Sequence, residues 1–184
     1  MRIISGTWRS RPLAAPKGDT TRPTADRARE TLFSMLASRL GSFEGLQVLD
    51  LFSGSGALGL EALSRGAAHC VFVEQDRAAL GALETNIAKL GAGPQSEIKR
   101  GSALMLGPAR RAYDLVLMDP PYGTGAGAVA LDKLSRLGWI ASGALVSIET
   151  GNREDTVVKG FEIDTIRDIG KARITLLRPE SAAE

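Results

Sequence analysis

The chain has 184 residues, 43% hydrophobic and 24% charged, so it can bury a core of its own and does not have a disordered composition. Twenty-three Lys and Arg against 21 Asp and Glu leave +2, too small a surplus to mark a generic polyanion binder. A single cysteine, Cys70, and a single histidine, His69, exclude an internal disulfide and disfavour a zinc site of His and Cys ligands, while the absence of a signal peptide or a spanning apolar run points to a reduced, cytoplasmic chain that avoids membranes.

The charges are unevenly placed. Residues 1–30 hold seven basic side chains (Arg2, Arg9, Arg11, Lys17, Arg22, Arg27, Arg29) against Asp19, Asp26 and Glu30, a local +4 on a body that sums to −2. Such an arm, with Trp8 among its arginines, is expected to face a polyanion. Ile3-Ile4 and Trp8 to Leu13 read as two short strands around a turn at Gly6, followed by a Pro- and Gly-containing loop from Pro16 to Pro23. A helix capped by Thr24 should follow, with Ala28, Leu32, Phe33, Leu36 and Leu40 at helical spacing and Gly41 as its stop.

From there strands and helices alternate. Val48–Phe52 is a strand, Ala57–Arg65 a helix, Val71–Val73 a strand, Ala78–Leu90 a helix and Ile98–Lys99 a short strand. Leu115–Met118 is a fourth strand, Val129–Leu137 a helix and Ala144–Ile148 a fifth strand. Phe161–Ile169 and Ala172–Leu177, separated only by Gly170-Lys171, form a closing antiparallel hairpin. The pattern predicts an α/β fold with a doubly wound, mostly parallel seven-stranded sheet.

Two loops carry chemistry. Between the first strand and its helix, Asp50-Leu51-Phe52-Ser53-Gly54-Ser55-Gly56 leads to Gly59, a glycine-rich turn that lets backbone approach a nucleotide-like ligand at a helix N-terminus. Asp50 would repel a pyrophosphate but attract a cationic amino or sulfonium group, which favours S-adenosylmethionine over NAD. Glu74, ending the second strand, is placed to accept from two ribose hydroxyls. Directly after the fourth strand comes Asp119-Pro120-Pro121-Tyr122. Two prolines stiffen the chain and hold the Asp119 carboxylate and the Pro120 carbonyl as fixed acceptors for a planar amino group, whose nitrogen they can draw out of the base plane. Tyr122 offers a face for the base to stack on, worth ~1–3 kcal/mol.

Asp119-Pro120-Pro121-Tyr122, with the Asp50 loop before it, resembles the signature of S-adenosylmethionine-dependent amino-methyltransferases acting on bases. Arg2-Ile3-Ile4-Ser5-Gly6, Arg22-Pro23-Thr24, Asp26-Arg27 and Arg29-Glu30-Thr31-Leu32-Phe33 are similar to the amino-terminal signature of the RsmD-type methyltransferases, which modify a guanine N2 in bacterial small-subunit ribosomal RNA. The resemblance spans nearly the whole chain. It implies a Rossmann-like methyltransferase core over residues 42–184, a basic hairpin-and-helix extension over 1–41 that helps bind substrate, and a monomer acting on ribosomal RNA, naked or in an assembling subunit. The cofactor residues implied are Asp50, Ser53, Gly54, Gly56, Glu74, Ser102, Ala103 and Asp119, Ser102 standing where related enzymes often carry an acidic acceptor. Asp119, Pro120 and Tyr122 would perform direct in-line methyl transfer without a metal. Pro121 and Tyr122, with Arg9, Arg11, Arg22, Arg27 and Arg29, would hold the RNA. The competing readings are a DNA or RNA adenine-N6 methyltransferase, an NAD-dependent oxidoreductase and a non-catalytic RNA-binding module.

Overall fold

The computed structural model describes residues 1–16 and 23–181. Its elements are α1 (Pro23–Leu40), β1 (Gln47–Leu51), α2 (Ala57–Ser64), β2 (His69–Glu74), α3 (Arg77–Leu90), β3 (Ser96–Arg100), β4 (Tyr113–Met118), α4 (Ala126–Arg136), β5 (Ile140–Gly151), β6 (Phe161–Ile169) and β7 (Ala172–Pro179). They build one seven-stranded sheet in the order β3-β2-β1-β4-β5-β7-β6. The first five strands pair in parallel, and β7 joins β5 and β6 antiparallel. This is the expected doubly wound α/β sheet with its closing hairpin.

Alternate residues of each strand feed two apolar layers. Val48, Cys70, Phe72, Leu115, Leu117 and Leu145 face one layer with Phe33 and Leu36 of α1, Leu60 of α2 and Leu83 of α3. Leu49, Leu51, Val71, Val116, Val146 and Ile148 face the other with Ala130, Leu131 and Leu134 of α4. The helix after β1 therefore covers one face and the helix after β4 the other. Adjacent strands whose connections leave to opposite sides make a switch point, and a cleft opens beyond their carboxyl ends.

The amino-terminal segment departs from expectation. The two strands reduce to one antiparallel bridge, Arg2 to Pro12, closed by the Ile3 N–H on the Arg11 carbonyl and the Leu13 N–H on the Met1 carbonyl, both at 3.0 Å, while other backbone groups of the segment are satisfied by the body of the protein. The N–H groups of Ile4 and Ser5 donate to Glu61 Oε2 (2.7 Å) and Oε1 (3.0 Å), that of Thr7 to the Ser64 carbonyl (2.8 Å) and that of Ala14 to Asn86 Oδ1 (2.7 Å). Ile3 and Leu13 enter the same apolar layer as α1, α2 and α3, and Trp8 packs against it. The segment is a strap laid across α2 and α3. Helix α1 begins at Pro23, one residue before the expected cap Thr24, since proline suits the first helical position. No helix among the described residues is long and apolar enough to cross a membrane.

Candidate active site

The carboxyl ends of β1, β2, β4 and β5 surround a cleft of about 530 Å³. Phe52 lines it from β1, Glu74 and Asp76 from β2, Asp119 to Tyr122 from β4, and Glu149 from β5, with Gly101 and Ala103 on the β3 side. Four of these residues are carboxylates, and among the described residues lining the cleft there is no Lys or Arg. The low-dielectric walls concentrate that negative potential, so the cleft favours a cationic ligand and opposes a pyrophosphate.

Glu74 organises the glycine loop. Its Oε2 accepts from the Gly54 N–H and its Oε1 from the N–H groups of Gln75 and Asp76, all at 2.8 Å. A carboxylate has about four acceptor positions, so one on Oε2 is left for a ligand hydroxyl. Ser53 is tied back to the Val73 carbonyl through its N–H (3.1 Å), and the Gly56 N–H closes the turn onto the Ser53 carbonyl (2.7 Å).

Asp50 sits beneath this loop, 1% exposed, and is not among the residues that line the cleft. Its Oδ2 accepts from the Gly59 N–H at 2.9 Å. Gly59 permits that approach, because a Cβ there would lie 2.4 Å from the Phe72 ring and 2.6 Å from Cys70 Sγ. Oδ1 is buried without a partner among the described residues. Burial pushes the Asp50 carboxyl well above its ordinary range, and the charges of Asp119 and Glu74 add to the rise against the Gly59 bond. An orphaned acceptor of this kind fits a cationic or amino-bearing ligand, whose charge would offset the burial.

In the Asp119-Pro120-Pro121-Tyr122 loop, Pro120 is buried and Asp119, Pro121 and Tyr122 are exposed. Thr124 Oγ1 donates to the Pro121 carbonyl (2.7 Å). Glu154 Oε1 accepts from Gly123 N–H and Gly151 N–H, both at 2.9 Å, and so pins the end of the loop to the end of β5. Tyr122, 49% exposed, donates its hydroxyl to Glu149 Oε1 at 2.5 Å. Burial, and then that bond, raise the Tyr122 phenol, which keeps its proton.

The structure thus brings Glu74, Ala103, Asp119, Pro120, Pro121 and Tyr122 to one cleft, while Asp50, Ser53, Gly54 and Gly56 do not line it, Ser53 and Gly54 being tied to its wall through Val73 and Glu74. Ser102 turns aside: its hydroxyl caps the short turn at 103–105 by accepting from the Leu104 N–H (3.2 Å). The predicted RNA arginines scatter. Arg29 is 6% exposed and donates to the Arg2 carbonyl (2.6 Å) and to Asp26 (3.1 Å). Its burial corrects the expectation of a phosphate contact, and it serves to anchor the strap. Arg9 and Arg11 are exposed, but Arg11 donates to the Lys89 carbonyl (2.6 Å). Lys89 lies in the last turn of the 14-residue α3, so this part of the strap stands about 20 Å from the catalytic edge. Arg27 is exposed on α1, and Arg22 lies outside the described residues.

Six lining residues escape a reading of the sequence: Phe52, Val73, Gln75, Asp76, Gly101 and Glu149. Phe52 reads as the end of a strand, yet it adopts φ 57° at the cleft wall, a conformation that costs a non-glycine residue free energy. Glu149 has no motif around it. Its signal is positional, since it follows Ile148 at the same sheet edge where Glu74 ends β2 and Asp119 follows β4.

A family model, conserved hypothetical protein 95, matches residues 1–178. The ribosomal RNA small subunit methyltransferase D of Escherichia coli K12 is 37% identical over 186 residues, covering 100% of this chain and 92% of that protein. The protein of the same description from Haemophilus influenzae is 36% identical, covering 82% and 78%. The solved structure of yhhF from Escherichia coli, assigned as a methyltransferase, superposes with a TM-score of 0.85 at 38% identity over 98% of both chains. A likeness of fold alone reaches magnesium protoporphyrin IX methyltransferase from Synechocystis, solved with bound S-adenosylmethionine, at TM-score 0.65 and 17% identity over 88% of this chain and 86% of that one. A cleft at the switch point of a doubly wound sheet, set in a chain similar from end to end to these enzymes, places the protein in the RsmD-type family of ribosomal RNA small subunit methyltransferases.

Proposed function

We infer that this methyltransferase transfers the methyl group of S-adenosylmethionine to the exocyclic N2 of a guanine in small-subunit ribosomal RNA, as a cytoplasmic monomer acting on naked RNA or an assembling subunit. The observation that carries the reading is the acid-lined cleft that joins the Glu74 side of the glycine loop to Asp119-Pro120-Pro121-Tyr122. Glu74 is disposed to hold the ribose, Asp50 to offset a positive charge above the loop, and Ala103 to flank the adenine. The cofactor supplies an activated methyl on a sulfonium. Asp119 and the Pro120 carbonyl accept the two amino hydrogens of the base and aim its nitrogen, while Tyr122 holds the ring, so the residues act mainly by positioning two reactants. Asp50 and the acid-lined cleft give the NAD reading no pyrophosphate site. The decisive experiment compares nucleosides from small-subunit RNA of cells with and without the gene by mass spectrometry. N2-methylguanosine should be missing at one position in the deletion, and an unchanged nucleoside profile would refute the reading.

Calorimetry should show binding of S-adenosylmethionine and none of NAD. Glu74→Ala should weaken that binding by ~1–3 kcal/mol, through loss of the ribose bond and loosening of the Gly54 turn. Tight NAD binding would contradict the cofactor assignment.

For the RNA, the exposed Arg9 and Arg11 mark a second binding region, about one helix length from the chemistry, that an extended RNA would span. Replacing both by Ala should weaken RNA binding and flatten its logarithmic salt dependence by ~0.7–0.9 for each phosphate that is no longer neutralised. S-adenosylmethionine affinity should stay the same. Unchanged RNA affinity and slope would leave the arm without a partner.

A further inference from the structure

The proposed chemistry uses Asp119 but gives no duty to Glu149, which lines the same cleft. The two are close by construction. Strands β4 and β5 pair in parallel with Met118 opposite Ile148, so the next residues, Asp119 and Glu149, follow on neighbouring chains about 4.8 Å apart. Two carboxylates set side by side at one cleft wall offer paired acceptors, which a ligand with two neighbouring donors matches. Glu149 is also fixed. Tyr122 donates to its Oε1 at 2.5 Å, Tyr122 belongs to the loop stiffened by Pro120 and Pro121, and Glu154 ties the end of that loop to β5. The bond engages Oε1, so the other oxygen, Oε2, is the acceptor that this clamp orients.

A guanine offers what such a pair accepts. Its Watson–Crick edge carries an N1–H beside the N2 amino group, whereas adenine and 2,6-diaminopurine present a bare N1 lone pair there. A fixed carboxylate facing N1 gains a charge-assisted hydrogen bond from guanine and meets lone-pair repulsion from the others. We propose that Glu149 is the specificity-determining residue of the site: it accepts the N1–H of the target guanine while Asp119 accepts from N2, and Tyr122 holds it in that orientation. The inference rests on the guanine-N2 reading and names the group that enforces it. A carboxylate that merely anchored Tyr122 would influence all purines alike, and that difference makes the assignment testable.

The test uses small-subunit RNA assembled with either guanine or 2,6-diaminopurine at the methylated position, presented naked and with subunit proteins, and the full-length enzyme. Both bases carry the N2 amino group, so both can be methylated. The wild-type enzyme should prefer guanine in kcat/KM by about 10- to 100-fold, the range of one hydrogen bond to a charged group. Glu149→Gln supplies an amide that can accept from N1–H or donate to a bare N1, and the preference should collapse to within about threefold. Tyr122→Phe removes the clamp but keeps the ring, and should reduce the preference while still yielding N2-methylguanosine. It carries the test should Glu149→Gln not fold. A wild-type enzyme indifferent to the two bases, or a preference unchanged in both variants, overturns the assignment. Failure of the wild type to make any N2-methylguanosine on the guanine RNA would instead bring down the guanine-N2 reading itself.

Discussion

Replacing Asp119 by Ala should lower kcat about 100- to 1,000-fold and S-adenosylmethionine affinity far less, the scale seen when one preorganised polar group facing a reacting atom is removed. The expectation follows from placement. Asp119 is the first residue beyond β4, at the mouth of the cleft, with Pro120 buried behind it and the loop pinned by Glu154, so its carboxylate is presented rigidly to whatever enters. The nucleophile is an amine whose lone pair is delocalised into the base, and aligning it is most of the barrier the protein can address. An interaction that tightens only as the nitrogen leaves the ring plane lowers kcat and kcat/KM together when it is removed. Single-turnover kinetics with saturating RNA would read this directly. Methylation by Asp119→Ala at the normal rate would reduce the tetrapeptide to a rigid turn. Asp119→Asn separates two duties: an acceptor role is partly retained by the amide carbonyl, whereas removal of the departing proton is not.

The second large effect is on stability. Glu61 is 0% exposed in the middle of α2. Its carboxylate accepts from the N–H groups of Ile4 and Ser5 and from Arg65 Nε at 2.8 Å, and the Arg65 guanidinium lies 4.8 Å from the Phe33 ring centroid on α1. Glu61→Ala therefore orphans two backbone donors and a partly buried cation at once. Breaking one side of such a buried set costs about 3–5 kcal/mol, equivalent to roughly 10 °C in Tm for a chain of this size. Thermal and urea denaturation should both register it, with amide exchange faster over residues 3–14. Close packing raises the stakes, because a Cβ on Gly6, whose φ is 85°, would stand 1.8 Å from the Ser64 carbonyl oxygen. A Tm within a degree of wild type would show that the strap contributes little to the fold.

Apolar periodicity makes most of the sheet legible from sequence, and it fails where burial and apolarity part company. Strand β5 runs from Ile140 to Gly151, yet its apolar residues cluster between Ala144 and Ile148, broken only by Ser147, so periodicity trims both ends and with them Glu149. Helix α4 starts at Ala126, but Ala126-Gly127-Ala128 gives no helical stripe, and the expected start slips to Val129. The amino-terminal strands mislead for the opposite reason: Ile3, Trp8 and Leu13 look like strand residues, while the hydrogen-bond partners of their neighbours, Glu61, Ser64 and Asn86, lie far along the chain. The same limit governs the site. Asp50, Glu74 and Asp119 stand out because each lies at a strand end, two of them beside a glycine or proline signature. Arg29 does not betray its role, because a guanidinium at a helix face reads the same in sequence whether it meets solvent or a carbonyl. Phe52 hides because a phenylalanine after a strand carries no sign of a left-handed backbone.

The strap also sets an order of events during synthesis. Its hydrogen-bond partners on α2 and α3 lie 56 to 78 residues downstream, from Glu61 and Ser64 to Asn86 and Lys89. The strap is thus made before its partners on α2 and α3, and waits roughly 4 to 16 s at ordinary translation rates for α3 to be completed. For that interval Ile3, Trp8 and Leu13 travel without a core to enter, and closing so long a loop slows the step further. Nascent chains halted before Asn86 should leave the amino-terminal segment open to protease, and those that extend past α3 and have cleared the exit tunnel should not.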